Sequence, residues 1–361
     1  MEKEVKNLLL DLSQLISQKS KIWISPYGVE RILRAIKTTS DQWMIIRISE
    51  EPINVVNKAI EILLERKIVK VKNEKIYFTK KGREILKDIN LEKIVKPECR
   101  KCEGRGINFK FDSKLYSTFL EIQKKRPKPL KKYDQGNVTP QTTIARVLLA
   151  MSHGDIENKE ILILGAEDDL LGLALALTKK PKKILVLDID KRLIDFDNYW
   201  AEKLKLNLKA EVFDLRRKLP KDLIGKFDVF FTDPSETVQS IKGFILKGIA
   251  TLKSPGCVGY FGFTFKDSSL KKWYILQKIL NNSKVVITEI LREFNFYENW
   301  PYLEETKSFK ESAAEKLPNK TIWYTSNWYR LVTLPGFKRI NIDLLRYKGK
   351  KFYNDIENST S

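Results

Sequence analysis

Between residues 160 and 291 the chain repeats one pattern: a short apolar run, a polar loop, then a stretch with helical spacing. The apolar runs are Glu160–Leu164, Lys183–Leu187, Lys209–Phe213, Phe227–Thr232, Cys257–Phe263 and Lys284–Leu291. Runs such as Ile161-Leu162-Ile163-Leu164 and Ile184-Leu185-Val186-Leu187 show no polar alternation. A strand built from them must be covered on both faces, as in a parallel sheet. The alternation therefore predicts an α/β domain with a Rossmann-like, doubly wound sheet.

Open sheets of this kind bind ligands at the carboxyl ends of their strands. Acidic residues fall at those ends. Gly165-Ala166-Glu167-Asp168-Asp169 follows the first strand, Asp188-Ile189-Asp190 the second, Asp214-Leu215 the third and Asp233-Pro234-Ser235-Glu236-Thr237 the fourth. A single acid here is adequately explained as a helix cap. Acids on four successive strands point to one negatively charged rim. Asp188 lies about one strand–helix unit beyond Gly165, where an acid that grips ribose hydroxyls belongs. The first loop discriminates among nucleotide ligands. A pyrophosphate needs glycines and backbone N–H groups, and Glu167, Asp168 and Asp169 repel it. The same loop suits a sulfonium donor, and a cationic acceptor still more.

Upstream, Leu8, Leu9, Leu12, Leu15 and Ile16 recur at helical steps. Trp43-Met44-Ile45-Ile46-Arg47-Ile48 reads as a short strand, and Pro52 opens an amphipathic helix over Ile53–Lys67. Ile68–Val71 and Lys75–Phe78 predict a hairpin, with Thr79 capping a further helix. Helices followed by a two-stranded wing predict a winged-helix-like domain. Many such domains place a basic helix in DNA. Ile53–Lys67 offers few polar side chains for base edges, which favours a structural or substrate-covering role.

At 361 residues the chain exceeds one ordinary core, and two principal domains are expected. The divisions read as 1–96 (winged-helix-like), 97–135 (a CxxC turn and linker), 136–345 (catalytic) and 346–361 (an acidic tail). Cys99 and Cys102 form half of a four-ligand zinc knuckle with no second CxxC, so no metal is assigned. Lys124-Lys125-Arg126-Pro127-Lys128-Pro129 reads as a basic linker. The charged N-terminus and the absence of a long apolar stretch predict a cytoplasmic protein without membrane spans. The formal charge of +21 is explained equally by a Lys-rich solvated surface and by attraction to polyanions.

At these residues the sequence resembles the branched-chain polyamine synthases, the N4-bis(aminopropyl)spermidine synthases of archaea and thermophilic bacteria. The resemblance runs over nearly the whole chain. It is carried by Cys99–Gly106, Tyr133-Asp134-Gln135, Thr139-Pro140-Gln141-Thr142-Thr143, Glu167-Asp168-Asp169-Leu170, Leu187-Asp188-Ile189-Asp190, Phe213-Asp214-Leu215-Arg216, Asp233–Thr237 and Trp323-Tyr324-Thr325-Ser326. The chain departs from the family pattern at Ala166 and Glu167, where Gly and Asp are usual, and at Ser235, where a second Pro is usual.

The resemblance implies transfer of an aminopropyl group from decarboxylated S-adenosylmethionine, a co-substrate, to the secondary amine of spermidine, once or twice. It implies a homodimer and no prosthetic group. It assigns base and amine alignment to Asp168 or Asp169, with Asp233 and Glu236 supporting. It assigns donor contacts to Gly165, Glu167, Asp188 (ribose), Asp190, Asp214 (adenine) and Leu215, and acceptor contacts to Tyr133, Asp134, Gln135, Pro234, Glu236 and Thr237. Aromatic residues Phe294, Phe296, Tyr297, Trp300, Trp323, Tyr324 and Trp328 read as core and sheet edge, with cation–π contact to a polyamine as the second reading. The tail from Asp355 is a pocket cover or a solvated terminus. Two other functions fit the same pattern: an S-adenosylmethionine-dependent methyltransferase acting on nucleic acid or protein, and a non-enzymatic DNA-binding sensor.

Overall fold

The computed structural model describes residues 2–86, 93–94, 102, 104–107, 113–165, 169–313, 322–347 and 350–358. Helices α1 (Glu2–Ser20), α2 (Pro26–Thr38), α3 (Gln42–Ser49) and α4 (Ile53–Glu65) lead into the hairpin of β1 (Val69–Lys72) and β2 (Lys75–Phe78), then α5 (Lys80–Ile85). Thr79 caps α5, its side chain accepting from Gly82 N. Trp43–Ile48 is helical, not a strand. Asp41 caps α3 by accepting from Met44 N at 3.0 Å, and Trp43, Ile45 and Ile46 are buried. A helix covered on most sides carries the same unbroken apolar run as a buried strand, so periodicity could not separate them.

Nine of the thirteen residues of α4 are buried, including Asn54 and Asn57. Its first amide donates to the Lys266 carbonyl at 2.8 Å, and Asn57 donates to the Ser308 carbonyl at 3.3 Å. Helices α1–α4 share one apolar core with Tyr297, Trp300, Tyr302, Leu303, Trp323 and Tyr324. The helix that would enter a DNA groove is thus packed inside this protein.

Beyond α6 (Ser113–Gln123) and α7 (Pro140–Ser152), strands β3 (Glu160–Leu164), β4 (Lys183–Asp188), β5 (Leu208–Val212), β6 (Val229–Thr232) and β7 (Val258–Phe263) run parallel. They alternate with α8 (Leu171–Leu177), α9 (Lys191–Leu204), α10 (Val238–Ile241) and α11 (Lys247–Thr251), the last two joined by a π-helical turn at Lys242–Leu246. After α12 (Leu270–Asn282) come β8 (Val285–Phe296) and β9 (Thr325–Thr333). The sheet order is β5-β4-β3-β6-β7-β9-β8, with β9 antiparallel to both neighbours. Strand β9 was not foreseen. Its Trp328, Tyr329 and Leu331 complete the apolar layers on the two faces of the sheet.

Strand order reverses at β3, which pairs with β4 on one side and β6 on the other. This switch point brings the tips carrying Gly165, Asp188 and Asp233 side by side. The short helix α13 (Lys350–Tyr353) and the residues after it dock back onto the sheet. Phe352 is buried, its carbonyl accepts from Thr237 Oγ1 at 2.5 Å, and Lys272 Nζ pairs with Asp355 at 2.9 Å. No helix among the described residues is long and apolar enough to cross a membrane.

Candidate active site

Two adjoining cavities open above the strand tips. The first, about 500 Å3, is lined by residues from every element of the switch point: Gly165, Asp188 and Ile189, Phe213 and Leu215, and Asp233 and Ser235. Tyr133, Asp134 and Gln135 close it from one side, and Phe244 and Tyr353 from the other. The second, about 470 Å3, is lined by Asp134, Asp169, Asp233, Glu236 and Asp267, with Tyr297, Trp300 and Tyr324 as its aromatic wall. Asp134, Asp233 and Ser235 belong to both. The Ser235 hydroxyl, buried there, has no hydrogen-bond partner among the described residues.

Local structure places these groups. Gly165 leaves β3 with φ +53°, and a Cβ there would stand 2.5 Å from Phe244 Cε1. The π-helical turn carries Phe244 into that space, a common use of such turns at functional sites. Asp134 ends a 3-10 turn over Lys131–Tyr133 in the left-handed conformation, which Asp tolerates better than most residues. Gln135 ties this loop down: its side chain accepts from Leu130 N at 2.8 Å and donates to Asp190 Oδ2 at 3.1 Å.

Beneath both cavities lies Arg146, wholly buried on α7. Its guanidinium donates to Asp169 Oδ2 at 2.6 Å, Asp233 Oδ2 at 2.5 Å and Asn295 Oδ1 at 2.9 Å, and stacks over the Trp328 ring at 4.2 Å. Tyr297 Oη adds a 2.6 Å hydrogen bond to Asp233 Oδ2. Val138 N donates to Asp169 Oδ1 at 2.9 Å, so both oxygens of that carboxylate are engaged.

Burial dominates the electrostatics. It lifts the Asp169 carboxyl to about 6, the nearby Asp233 adding to the rise and Arg146 opposing it. Burial lifts Asp188 to about 6 as well, although Asp190 N donates to it at 2.7 Å. Glu236 is pushed well above the carboxylate range by burial and then by Asp267, Asp134 and Asp233. Asp169 and Glu236 in the second cavity thus hold protons more tightly than free carboxylates unless cations enter.

The expected site residues divide accordingly. Gly165, Asp188, Leu215, Tyr133, Asp134, Gln135 and Asp233 line the first cavity; Asp169, Pro234 and Glu236 line the second. Asp190, Asp214 and Thr237 line neither. Burial would raise Asp190 and Asp214, but hydrogen bonds from Arg192 and Arg216 outweigh it and hold both below the usual value. Thr237 caps α10 and bonds the tail. Glu167 and Asp168 lie outside the described residues, as does Cys99 of the CxxC turn.

Sequence reasoning missed Arg146 and Asp267. The first was signalled by a lone cation in the apolar run Ile144-Ala145-Arg146-Val147, and the second follows β7 as the other acids follow their strands.

Comparison with known proteins adds to this geometry. The profile of the branched-chain polyamine synthase A C-terminal domain matches residues 114–360. An N(4)-bis(aminopropyl)spermidine synthase of Methanocaldococcus jannaschii is 44% identical over 351 residues, covering 96% of this chain and 98% of that protein. The protein of the same description from Thermococcus kodakarensis is 40% identical over 353 residues, covering 97% and 99%. The crystal structure of the branched-chain polyamine synthase from Thermus thermophilus, in complex with N4-aminopropylspermidine and 5'-methylthioadenosine, matches with a TM-score of 0.90 at 34% identity, covering 99% of both chains.

Proposed function

The chain belongs to the branched-chain polyamine synthase family and is an aminopropyltransferase; from that premise we propose that it transfers the aminopropyl group of decarboxylated S-adenosylmethionine to the secondary amine of spermidine. The observation that carries this reading is the pair of cavities meeting at Asp233: one suited to a nucleoside, the other acidic and aromatic. The complex of the Thermus relative, with a methylthio-nucleoside and a branched polyamine bound together, supports the same pairing.

In this reading Asp188 accepts from the ribose hydroxyls. Ile189, Phe213, Leu215 and Phe244 enclose the adenine, and Gly165 permits its close approach. The donor's sulfonium carbon then faces the junction formed by Asp134, Asp233 and Ser235. The acceptor lies in the second cavity, its ammonium groups held by Asp267, Glu236 and Asp134. The reacting amine must be neutral, although alkyl amines such as that of lysine hold protons up to a pKa of about 10. We assign its proton to Glu236, a cavity carboxylate that burial and the neighbouring acids push well above the usual range. The nitrogen lone pair attacks the carbon beside sulfur, and the C–S electron pair leaves with methylthioadenosine. Asp169, with both oxygens engaged, acts as the counter-ion of Arg146 and supports Asp233; of the roles expected for Asp168, which lies outside the described residues, amine alignment alone is kept. Residues 1–96 act as a structural module behind the acceptor cavity, and a homodimer remains the expected assembly.

Two other functions fit less well. A methyltransferase retains the donor's carboxylate, which the acids at the junction would repel. A DNA-reading role would need α4 exposed, and α4 is buried. The test is mass spectrometry of reactions holding spermidine with each sulfonium donor separately. Aminopropyl increments from the decarboxylated donor are expected. Methyl increments from S-adenosylmethionine, with none from the decarboxylated form, overturn the proposal.

A further inference from the structure

We propose that the Ser235 hydroxyl accepts a hydrogen bond from the N–H of the acceptor's reacting nitrogen and thereby aims its lone pair at the donor carbon. The inference rests on the proposed function and deepens it by naming the group that orients the nucleophile.

Three residues line both cavities: Asp134, Asp233 and Ser235. Two are carboxylates, and Asp233 Oδ2 already takes hydrogen bonds from Arg146 and Tyr297. Ser235 is the uncharged member. Its Oγ is buried and has no hydrogen-bond partner among the described residues. Such a hydroxyl is uncommon, because it has lost water without a replacement. On the edge shared by donor and acceptor, the fitting partner is a substrate atom.

The segment that carries Ser235 is held at both ends. Thr232 Oγ1 donates to the Leu164 carbonyl at 2.8 Å, and Thr237 Oγ1 donates to the Phe352 carbonyl at 2.5 Å. Pro234 restricts the backbone between them. The hydroxyl is therefore presented on a fixed turn, at the position where the family pattern usually has a second Pro. The contact is accordingly a property of this chain.

Chemistry favours a neutral group at this point. After one proton has left, the secondary amine keeps one N–H and one lone pair. A carboxylate on that N–H would favour the ammonium form, which cannot attack. A hydroxyl offers two acceptor lone pairs and no charge, so it turns the nitrogen with less of that penalty. As the C–N bond forms, the C–S electron pair leaves with the thioether, and the nitrogen becomes positive while keeping its N–H. The hydrogen bond to Oγ then becomes charge-assisted and strengthens. An interaction stronger in the transition state than in the bound substrate speeds the chemical step.

The experiment compares the wild type with Ser235→Ala in single turnovers, with donor and spermidine saturating and product measured by mass spectrometry. Alanine deletes the hydroxyl, adds no bulk and breaks no hydrogen bond among the described residues. The chemical rate should fall about tenfold. Methylthioadenosine should bind both proteins with affinities within about twofold. The rate factor should be the same at every pH, and thermal unfolding should show no loss of stability. A fall of less than about threefold overturns the inference. So does weaker methylthioadenosine binding with an unchanged chemical rate, which would place the hydroxyl on the donor. A rate loss that varies with pH, reporting a disturbed carboxylate, overturns it too, as does a lowered melting temperature, reporting a lost structural bond. A wild type that transfers no aminopropyl group overturns the proposed function itself, and that result needs no variant.

Discussion

Replacing Arg146 by methionine preserves most of the side-chain volume over Trp328 and removes the charge between Asp169 and Asp233. Removing one partner of a buried ion pair costs about 3–5 kcal/mol, because the other charge is left without compensation. Here one guanidinium serves two carboxylates, so about 4 kcal/mol or more is expected near pH 8. The cost depends on pH in a definite direction. Asp169 titrates at about 6 even with Arg146 present, and higher without it. A carboxyl raised on folding imposes its burial cost above its folded pKa, and the cost fades as pH falls and the group takes up a proton. Near pH 5 Asp169 is largely protonated in both proteins, so its share of the loss shrinks to that of a hydrogen bond, about 1–3 kcal/mol, and the total loss is smaller than near pH 8. Equilibrium urea unfolding of the two proteins at the two pH values measures the difference. A loss equal at both pH values, or one below about 1 kcal/mol near pH 8, refutes the reasoning.

Three further outcomes follow from the same geometry. Glu236→Gln should lower kcat about a hundredfold or more; it should also abolish the acid limb of the wild-type profile, where activity is lost as pH falls through the raised pKa of Glu236. Asp188→Asn should raise the donor KM about tenfold with a smaller effect on kcat, and should flatten the wild-type weakening of donor binding as pH falls through about 6. In Gly262→Ala the new Cβ would meet Asp233 Oδ1 at 1.9 Å. Steady-state kinetics should show a large loss of kcat while circular dichroism shows an intact fold.

The catalytic sheet was legible because its strands are apolar on both faces and its acids sit at one end of each. Strands β3 and β4 begin where the apolar runs begin, and the switch point then brought Asp188 and Asp233 together without further information. Strand β9 was hidden because it follows a long connection and its Trp328-Tyr329 pair is flanked by Asn327 and Arg330, so it lacks the pure apolar run of its neighbours. Helix α3 was misread because burial on most sides erases helical periodicity, although Asp41 marked its start. Charge partners were harder still. The sequence carries Arg146 and Asp233 far apart, and only the pairing of α7 with the tip of β6 turns them into one unit. The roles of Tyr297, Trp300 and Tyr324 were ambiguous for a related reason: a ring that lines a cavity and a ring that fills a core read alike until the cavity is seen.

The central claim is that a nucleoside cavity and a polyamine cavity meet at Asp233. A crystal structure of this protein with methylthioadenosine and spermidine tests it most directly. The account predicts the purine beside Phe213 and Phe244, the ribose on Asp188, and the spermidine secondary nitrogen at the junction with the thioether sulfur facing it. A nucleoside among the acids of the second cavity, or a polyamine bound away from Asp233 and Glu236, contradicts it.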